Sequence, residues 1–178
     1  MKIVVLTGSP HKDGTSSLLT ERFIEGAKEA GHEVYRFDSA FKKVHPCVAC
    51  NKCKCGEKPC VFQDDMVELF PKLIEADLIT FVTPLYYYGM SAQIKIAIDR
   101  FYSINNMLRG ADKKAILIVT GTNSREWAMK GIAGSYTEAL KYLQWQDYGQ
   151  LLAKGCPARE DLEKTDYPLQ AYLLGKRL

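Results

Sequence analysis

Long apolar runs are missing from this chain. No stretch comes near the ~20 consecutive apolar residues that a bilayer-crossing helix requires, so no membrane partner is expected. The start, Met1-Lys2 followed by Ile3-Val4-Val5-Leu6, has too short an apolar segment for an export signal and no small-residue cleavage site, and it reads as a first strand. A cytoplasmic location follows as the expectation. There the six cysteines would stay reduced, which leaves no place for a disulfide framework. Lys and Arg form no block or stripe, and the net charge is only +3, which argues against nucleic acid as a partner. Internal repeats, low-complexity tracts and interdomain linkers are also absent, so residues 1–178 are expected to form a single domain. Nothing has the pattern of a Ser-His-Asp hydrolase. His32 and His45 lack evident partners and read as surface residues.

What is present is an alternation of strands and amphipathic helices. Lys2 to Thr7 carries an unbroken Ile-Val-Val-Leu run, the mark of a strand buried on both faces. Leu19, Phe23, Ala27 and Ala30 follow at helical spacing, with Gly31 as the stop. Val34–Phe37 alternates as a second strand. Asp64 is placed to cap a helix burying Met66, Val67, Phe70, Leu73 and Ile74. Leu78–Thr83 is a third strand, stopped by Pro84. Ser91 opens a helix with Ile94, Ala97, Ile98 and Phe101 on one face. Ala115–Thr120 is a fourth strand. Ile132, Tyr136, Ala139, Leu140 and Leu143 mark another helix, Tyr148–Ala153 a fifth strand, and Tyr167–Leu178 a short final helix. This order predicts a three-layer α/β fold, a parallel sheet with helices on both faces. Ligands of such folds sit beyond the carboxyl ends of the strands, near the switch in strand order.

Directly after the first strand comes Thr7-Gly8-Ser9-Pro10-His11-Lys12-Asp13-Gly14-Thr15-Ser16-Ser17. Its glycines admit a ligand close to the backbone, its hydroxyls can donate to phosphate oxygens, and the helix start adds unpaired N–H groups. Two better-known phosphate motifs are excluded. Gly8 and Gly14 lie one residue too far apart for a triphosphate P-loop, and Thr15 stands where its Lys must be. The dinucleotide pattern G-x-G-x-x-G does not occur. A hydroxyl-rich loop without that lysine suits one terminal phosphate, as in FMN. The plainer alternative is a polar turn with Thr15 or Ser16 as helix cap.

After the third strand, Pro84-Leu85-Tyr86-Tyr87-Tyr88-Gly89 places three tyrosines in a row beside a residue that permits a sharp turn. Aromatic walls for a planar ring with polar edges would explain them; so would a contact between subunits. Thr120-Gly121-Thr122-Asn123-Ser124 follows the fourth strand at the same end of the sheet, either as a further ligand contact or as a plain connection.

Taken in order, Gly8-Ser9-Pro10 with Gly14-Thr15-Ser16, then Cys47-x2-Cys50-x2-Cys53 leading to Asp64-Asp65-Met66, Thr83-Pro84-Leu85-Tyr86, Ser91-Ala92-Gln93-x-Lys95 and Ile98-Asp99-Arg100 resemble the NADPH-dependent FMN reductase and iron–sulfur flavoprotein group of flavodoxin-like proteins. The resemblance runs from Lys2 to about Tyr102. It implies a five-stranded parallel sheet, bound FMN, NAD(P)H as electron donor, a small-molecule electron acceptor, and a homodimer or homotetramer. By position, Ser9, His11, Thr15, Ser16 and Ser17 would hold the phosphate. Pro84, Leu85, Tyr86, Tyr87, Tyr88 and Gly89 would flank the ring, with Thr120 and Gly121 nearby. The family often carries a basic residue such as Arg in place of His11 and Asn in place of Thr15, so this chain departs from it at both positions.

Five cysteines fall between Cys47 and Cys60. The spacing Cys47-x2-Cys50-x2-Cys53 also opens ferredoxin [4Fe–4S] sites, and Cys60, or less easily Cys55, could supply a fourth ligand. Free thiols packing the loop, a four-sulfur zinc site and a regulatory disulfide stand beside that reading. Cys156 reads as a small buried apolar residue, and Asp99-Arg100 as a surface or interface ion pair.

The expected activity is therefore hydride transfer from NAD(P)H to bound FMN, with electrons passing to a quinone, a free flavin or a similar acceptor. The flavin carries that chemistry and no side chain is needed as acid or base. The alternatives are an iron–sulfur flavoprotein, a flavodoxin-type carrier serving a protein partner, and a redox-sensing module. Shuttle flavodoxins are typically acidic, and a pI of about 8.4 favours an enzyme over a carrier.

Overall fold

The computed structural model describes residues 1–55 and 60–178. Its strands are β1 (Lys2–Thr7), β2 (Glu33–Asp38), β3 (Leu78–Tyr86), β4 (Gly89–Met90), β5 (Lys114–Thr120) and β6 (Gln146–Ala153). Five of them form a parallel sheet in the order β2-β1-β3-β5-β6, the flavodoxin-like order with its switch between β1 and β3. The sixth, β4, is two residues long and pairs antiparallel with the end of β3. The expected five-stranded parallel sheet is present, and β4 adds a short hairpin at its carboxyl edge.

The helices are α1 (Thr15–Glu29), α2 (Met66–Glu75), α3 (Ala92–Asp99), α4 (Asn105–Leu108), α5 (Lys130–Leu143), α6 (Arg159–Glu163) and α7 (Tyr167–Lys176). Strand alternation divides the core into two layers. Val4, Leu6, Ile79, Phe81, Leu117 and Val119 face the layer containing residues of α2, α3 and α5. Ile3, Val5, Leu78, Val82, Ile116 and Ile118 face the layer containing residues of α1, α6 and α7. This two-sided burial is why β1, β3 and β5 read as unbroken apolar runs.

In the second layer α1 and α7 touch backbone to backbone. A Cβ at Gly26 would lie 2.9 Å from Lys176 N, and one at Gly175 would lie 2.8 Å from Ala27 N. Strand β6 begins two residues earlier than its alternation suggests and contains a bulge. Ala115 pairs with Asp147 but Ile116 with Gly149, so Tyr148 is the extra residue and Gly149 takes φ +145°.

Three helical expectations need correction. Val67 and Ile74 lie on the outside of α2, where they border an apolar groove of about 470 Å³ with Phe62, Phe70 and Pro71; the apolar stripe of α2 is wider than the sheet can cover. Ala139 of α5 is exposed. Asp99 and Arg100 do not pair with each other. Asp99 bonds Lys95 on the surface, whereas Arg100, just after α3, is buried against Asp64.

Candidate functional site

The carboxyl ends of β1, β3 and β5 each release a loop on the same side of the sheet. The first is a tight turn. Gly8 N–H donates to the Val82 carbonyl at 2.9 Å and Gly14 N–H to the His11 carbonyl at 3.4 Å. Ser9 closes it, its Oγ accepting from His11 N–H at 3.2 Å. The N-cap of α1 is Gly14, with no side-chain cap and no acidic residue in the first turn. Leu18 N–H makes the first intrahelical bond, to the Gly14 carbonyl. The N–H groups of Thr15, Ser16 and Ser17 therefore precede the helical ladder, at the positive end of a 15-residue helix. The alternative of a hydroxyl-capped turn does not hold here.

Thr15 and Ser16 border a cleft of about 430 Å³. Ser9, His11, Thr15 and Ser16 form one wall, Pro84, Leu85 and Tyr86 a second, and Thr120, Gly121 and Thr122 a third. The hydroxyls of Thr15 and Ser16 both reach Thr120 Oγ1, at 3.1 and 2.8 Å. That contact ties the helix start to the end of β5. Gly121 lets the end of β5 pass close to Met129, since a Cβ there would lie 2.8 Å from Met129 Cε.

Not every expected residue reaches the cleft. The Ser17 side chain turns the other way, donating to Glu21 at 3.1 Å and accepting from Arg36 at 3.3 Å. It borders a neighbouring hollow of about 300 Å³ with Thr7, Arg36 and Asp38, which shares Ser9, His11 and Ser16 with the cleft. Tyr87, Tyr88 and Gly89 do not line the cleft either. Tyr87 and Tyr88 are the two central residues of the β3–β4 hairpin, at φ +46° and +62°. They adopt a left-handed turn that usually selects Asn or Gly. The sharp turn therefore falls on the tyrosines and not on Gly89. Tyr87 is fully exposed, and Tyr88 packs on Trp127 with ring centroids 5.1 Å apart.

A fourth wall, Cys156 to Glu160, was not foreseen from the sequence. The available signal was its position after the last strand, at the same end of the sheet. Cys156 N–H donates to the Gly121 carbonyl at 3.1 Å. Cys156 is buried as expected, and burial pushes its thiol pKa up. Arg159 is held by Glu163 at 3.0 Å.

The cysteine loop lies away from this cleft. All six cysteines are free thiols. Cys47, Cys50, Cys53 and Cys60 border one small cavity of about 20 Å³ together with Arg100. Residues 56–59, the part of the ladder between Cys55 and Cys60, lie outside the described residues. Among the described residues, no three His, Cys, Asp or Glu side chains are gathered closely enough to hold a metal. Ala49 and Asn51, on either side of Cys50, both take left-handed φ values, +52° and +57°.

A model of the NADPH-dependent FMN reductase family matches residues 1–146. The chain is 38% identical to an iron–sulfur flavoprotein of Methanocaldococcus jannaschii over 100 residues, covering 56% of this chain and 51% of that one. It is 32% identical to an iron–sulfur flavoprotein of Archaeoglobus fulgidus over 143 residues, covering 79% and 63%. The matches thus span about half to under two thirds of those relatives. The NAD(P)H:quinone oxidoreductase from Methanothermobacter marburgensis superposes with a TM-score of 0.75 at 19% identity, over 98% of this chain and 95% of that one. At that identity the likeness is one of fold.

Proposed function

Because the chain belongs to the NADPH-dependent FMN reductase family, we propose that it is an FMN-dependent oxidoreductase taking electrons from NAD(P)H and passing them to a small acceptor such as a quinone or free flavin. The observation that carries this reading is the uncapped start of α1, whose first residues Thr15 and Ser16 line a cleft walled by all three loops. One phosphate suits the N–H groups of that helix start and the hydroxyls of Ser9, Thr15 and Ser16. A planar ring suits the mixed wall formed by Pro84, Leu85 and Tyr86 beside Thr120 and Gly121. When bound, FMN supplies the hydride chemistry; the chain's residues bind it, orient it and limit access of water. The exposed Tyr87, Tyr88 and Trp127 beside the cleft suit contact with a second copy, and sedimentation would register that dimer.

The test is a titration of the purified protein with FMN, followed by NADPH oxidation with and without a quinone. Saturable flavin binding with acceptor-dependent turnover is expected. A protein that leaves flavin fluorescence unchanged would end this reading.

A second reading is favoured by the cysteine loop. Four cysteines border one cavity with a buried Arg100, and relatives bear the name iron–sulfur flavoprotein. Four thiolates at this spacing fit a [4Fe–4S] cluster, with Cys47, Cys50, Cys53 and Cys60 as ligands. Its sulfurs would find a donor in Arg100, whose buried Nε has no partner among the described residues. When bound, the cluster would add a one-electron carrier. Iron, zinc and sulfide analysis of anaerobically purified protein separates this from a zinc site or free thiols.

A further inference from the structure

The loop that carries the cysteines is closed at both ends by one side chain. Arg100, 1% exposed, donates from Nη1 to the His45 carbonyl at 2.8 Å and to Asp64 Oδ2 at 2.7 Å, and from Nη2 to Asp64 Oδ1 at 3.2 Å. Asp64 also accepts from the N–H groups of His45, at 2.9 Å, and Met66, at 3.2 Å. Each of its oxygens is thus bonded twice. The guanidinium lies over Phe62 at 5.2 Å, and His45 stacks on Phe62 with centroids 4.9 Å apart. His45 precedes the first cysteine of the loop and Phe62 follows the last, so both ends meet at Arg100.

One polar atom of this knot is left over. Arg100 Nε is buried and has no hydrogen-bond partner among the described residues. A buried donor on a charged group left unmade is costly, and native proteins keep few of them without a reason. Arg100 also borders the cavity that Cys47, Cys50, Cys53 and Cys60 share. Asp64 already offsets the guanidinium's charge, so what Arg100 has to give there is a short-range N–H donor rather than net charge.

Resting on the iron–sulfur reading above, we propose that Arg100 is the positioning residue of that site. It closes the loop that presents the four cysteines, and its free Nε–H donates to the sulfur side of the cluster they ligate. Hydrogen bonds to cluster sulfur favour the reduced, more negative state and raise the potential. The role differs from that of a ligand, since Arg100 touches no iron.

The experiment is anaerobic reconstitution of the full chain with iron and sulfide, then a redox titration followed by electron paramagnetic resonance on wild type and Arg100→Lys. Flavin content reports that the variant's fold is intact. Lysine keeps a charge for Asp64 and lacks the Nε–H donor, so the ratio of reduced to oxidised cluster at fixed potential should fall about tenfold, a shift of about 59 mV for one electron. Wild-type protein grown on 15N-arginine gives a measurement that needs no folded variant. Its reduced cluster should show a 15N coupling in pulsed resonance spectra. An unchanged potential in a folded variant, or an absent 15N coupling in wild type, overturns the proposal and leaves the cluster reading standing. A wild type that takes up no iron and sulfide overturns both. A donor that serves only a trapped water, for which the cavity has room, predicts the first of these outcomes.

Discussion

The Ser91 hydroxyl donates to the Gly8 carbonyl at 2.7 Å, joining the phosphate-type loop after β1 to the start of α3. Ser91 N–H in turn donates to Thr83 Oγ1 at 3.0 Å. Two of the three loops that wall the cleft are therefore fixed to each other through one serine. Gly8 permits this approach: a Cβ there would collide with Ser91 Oγ and lie 2.7 Å from Ile94 Cβ. Gly8→Ala should destabilise by about 1–3 kcal/mol through overpacking and weaken FMN binding as the loops separate. Ser91→Ala should cost only about 1 kcal/mol, one hydrogen bond. Urea unfolding of both variants checks the order.

Thr120 links the helix start to the third loop, through bonds to Thr15 and Ser16. Thr120→Val keeps the shape and removes the shared hydroxyl. FMN affinity should fall about tenfold, the equivalent of ~1.4 kcal/mol, alongside a stability loss of about 1–2 kcal/mol from the two bonds removed. Quenching of flavin fluorescence measures the affinity.

The α1–α7 crossing depends on two glycines facing each other's helix backbone. Gly175→Ala should cost about 1–3 kcal/mol, because Ala27 N belongs to a helix and cannot move aside as a side-chain tip could. A lower melting temperature with unchanged FMN affinity is the expected pair of results, since neither glycine borders the cleft.

Asp64 carries a pH signature. Burial alone would raise its carboxyl pKa, but the hydrogen bond from Arg100, those from the His45 and Met66 N–H groups, and the guanidinium charge together hold it below the ordinary value. A carboxylate with a depressed folded pKa contributes stability that is present above its unfolded value of about 3.9 and is lost as pH falls through the folded one. Urea midpoints for wild type should drop steeply below about pH 4. Asp64→Asn should be less stable at neutral pH and flatter in that acid range.

The sheet was legible because burial on two faces leaves a plain trace. Ile3 to Leu6 and Ala115 to Val119 are apolar at every position, and each face has its own core. The chemistry at the loop ends was legible in part. A strand followed by glycines and hydroxyls locates a phosphate cradle, but not which way each hydroxyl turns, and Ser17 turns toward Arg36. Local propensity points to Gly89 as the residue that permits a sharp turn, whereas the register of β4 on β3 makes a hairpin with Tyr87 and Tyr88 at its centre. Asp99-Arg100 suggested a pair because the two are adjacent. Neighbours on a helical turn do not face each other, and the partner of Arg100 comes from 36 positions away. Contacts of that kind are set by the packing of α2 against the turn after α3, which no local pattern records.

The central claim is that the cleft at the start of α1 holds FMN where NADPH can reduce it. Anaerobic addition of NADPH to the FMN-loaded chain, with the visible flavin band followed by absorption, tests this most directly. The account predicts that the band bleaches in stoichiometric proportion to NADPH and returns when a quinone is added. A bound flavin whose band is unmoved by excess NADPH, or a chain that retains no flavin through gel filtration, would contradict it.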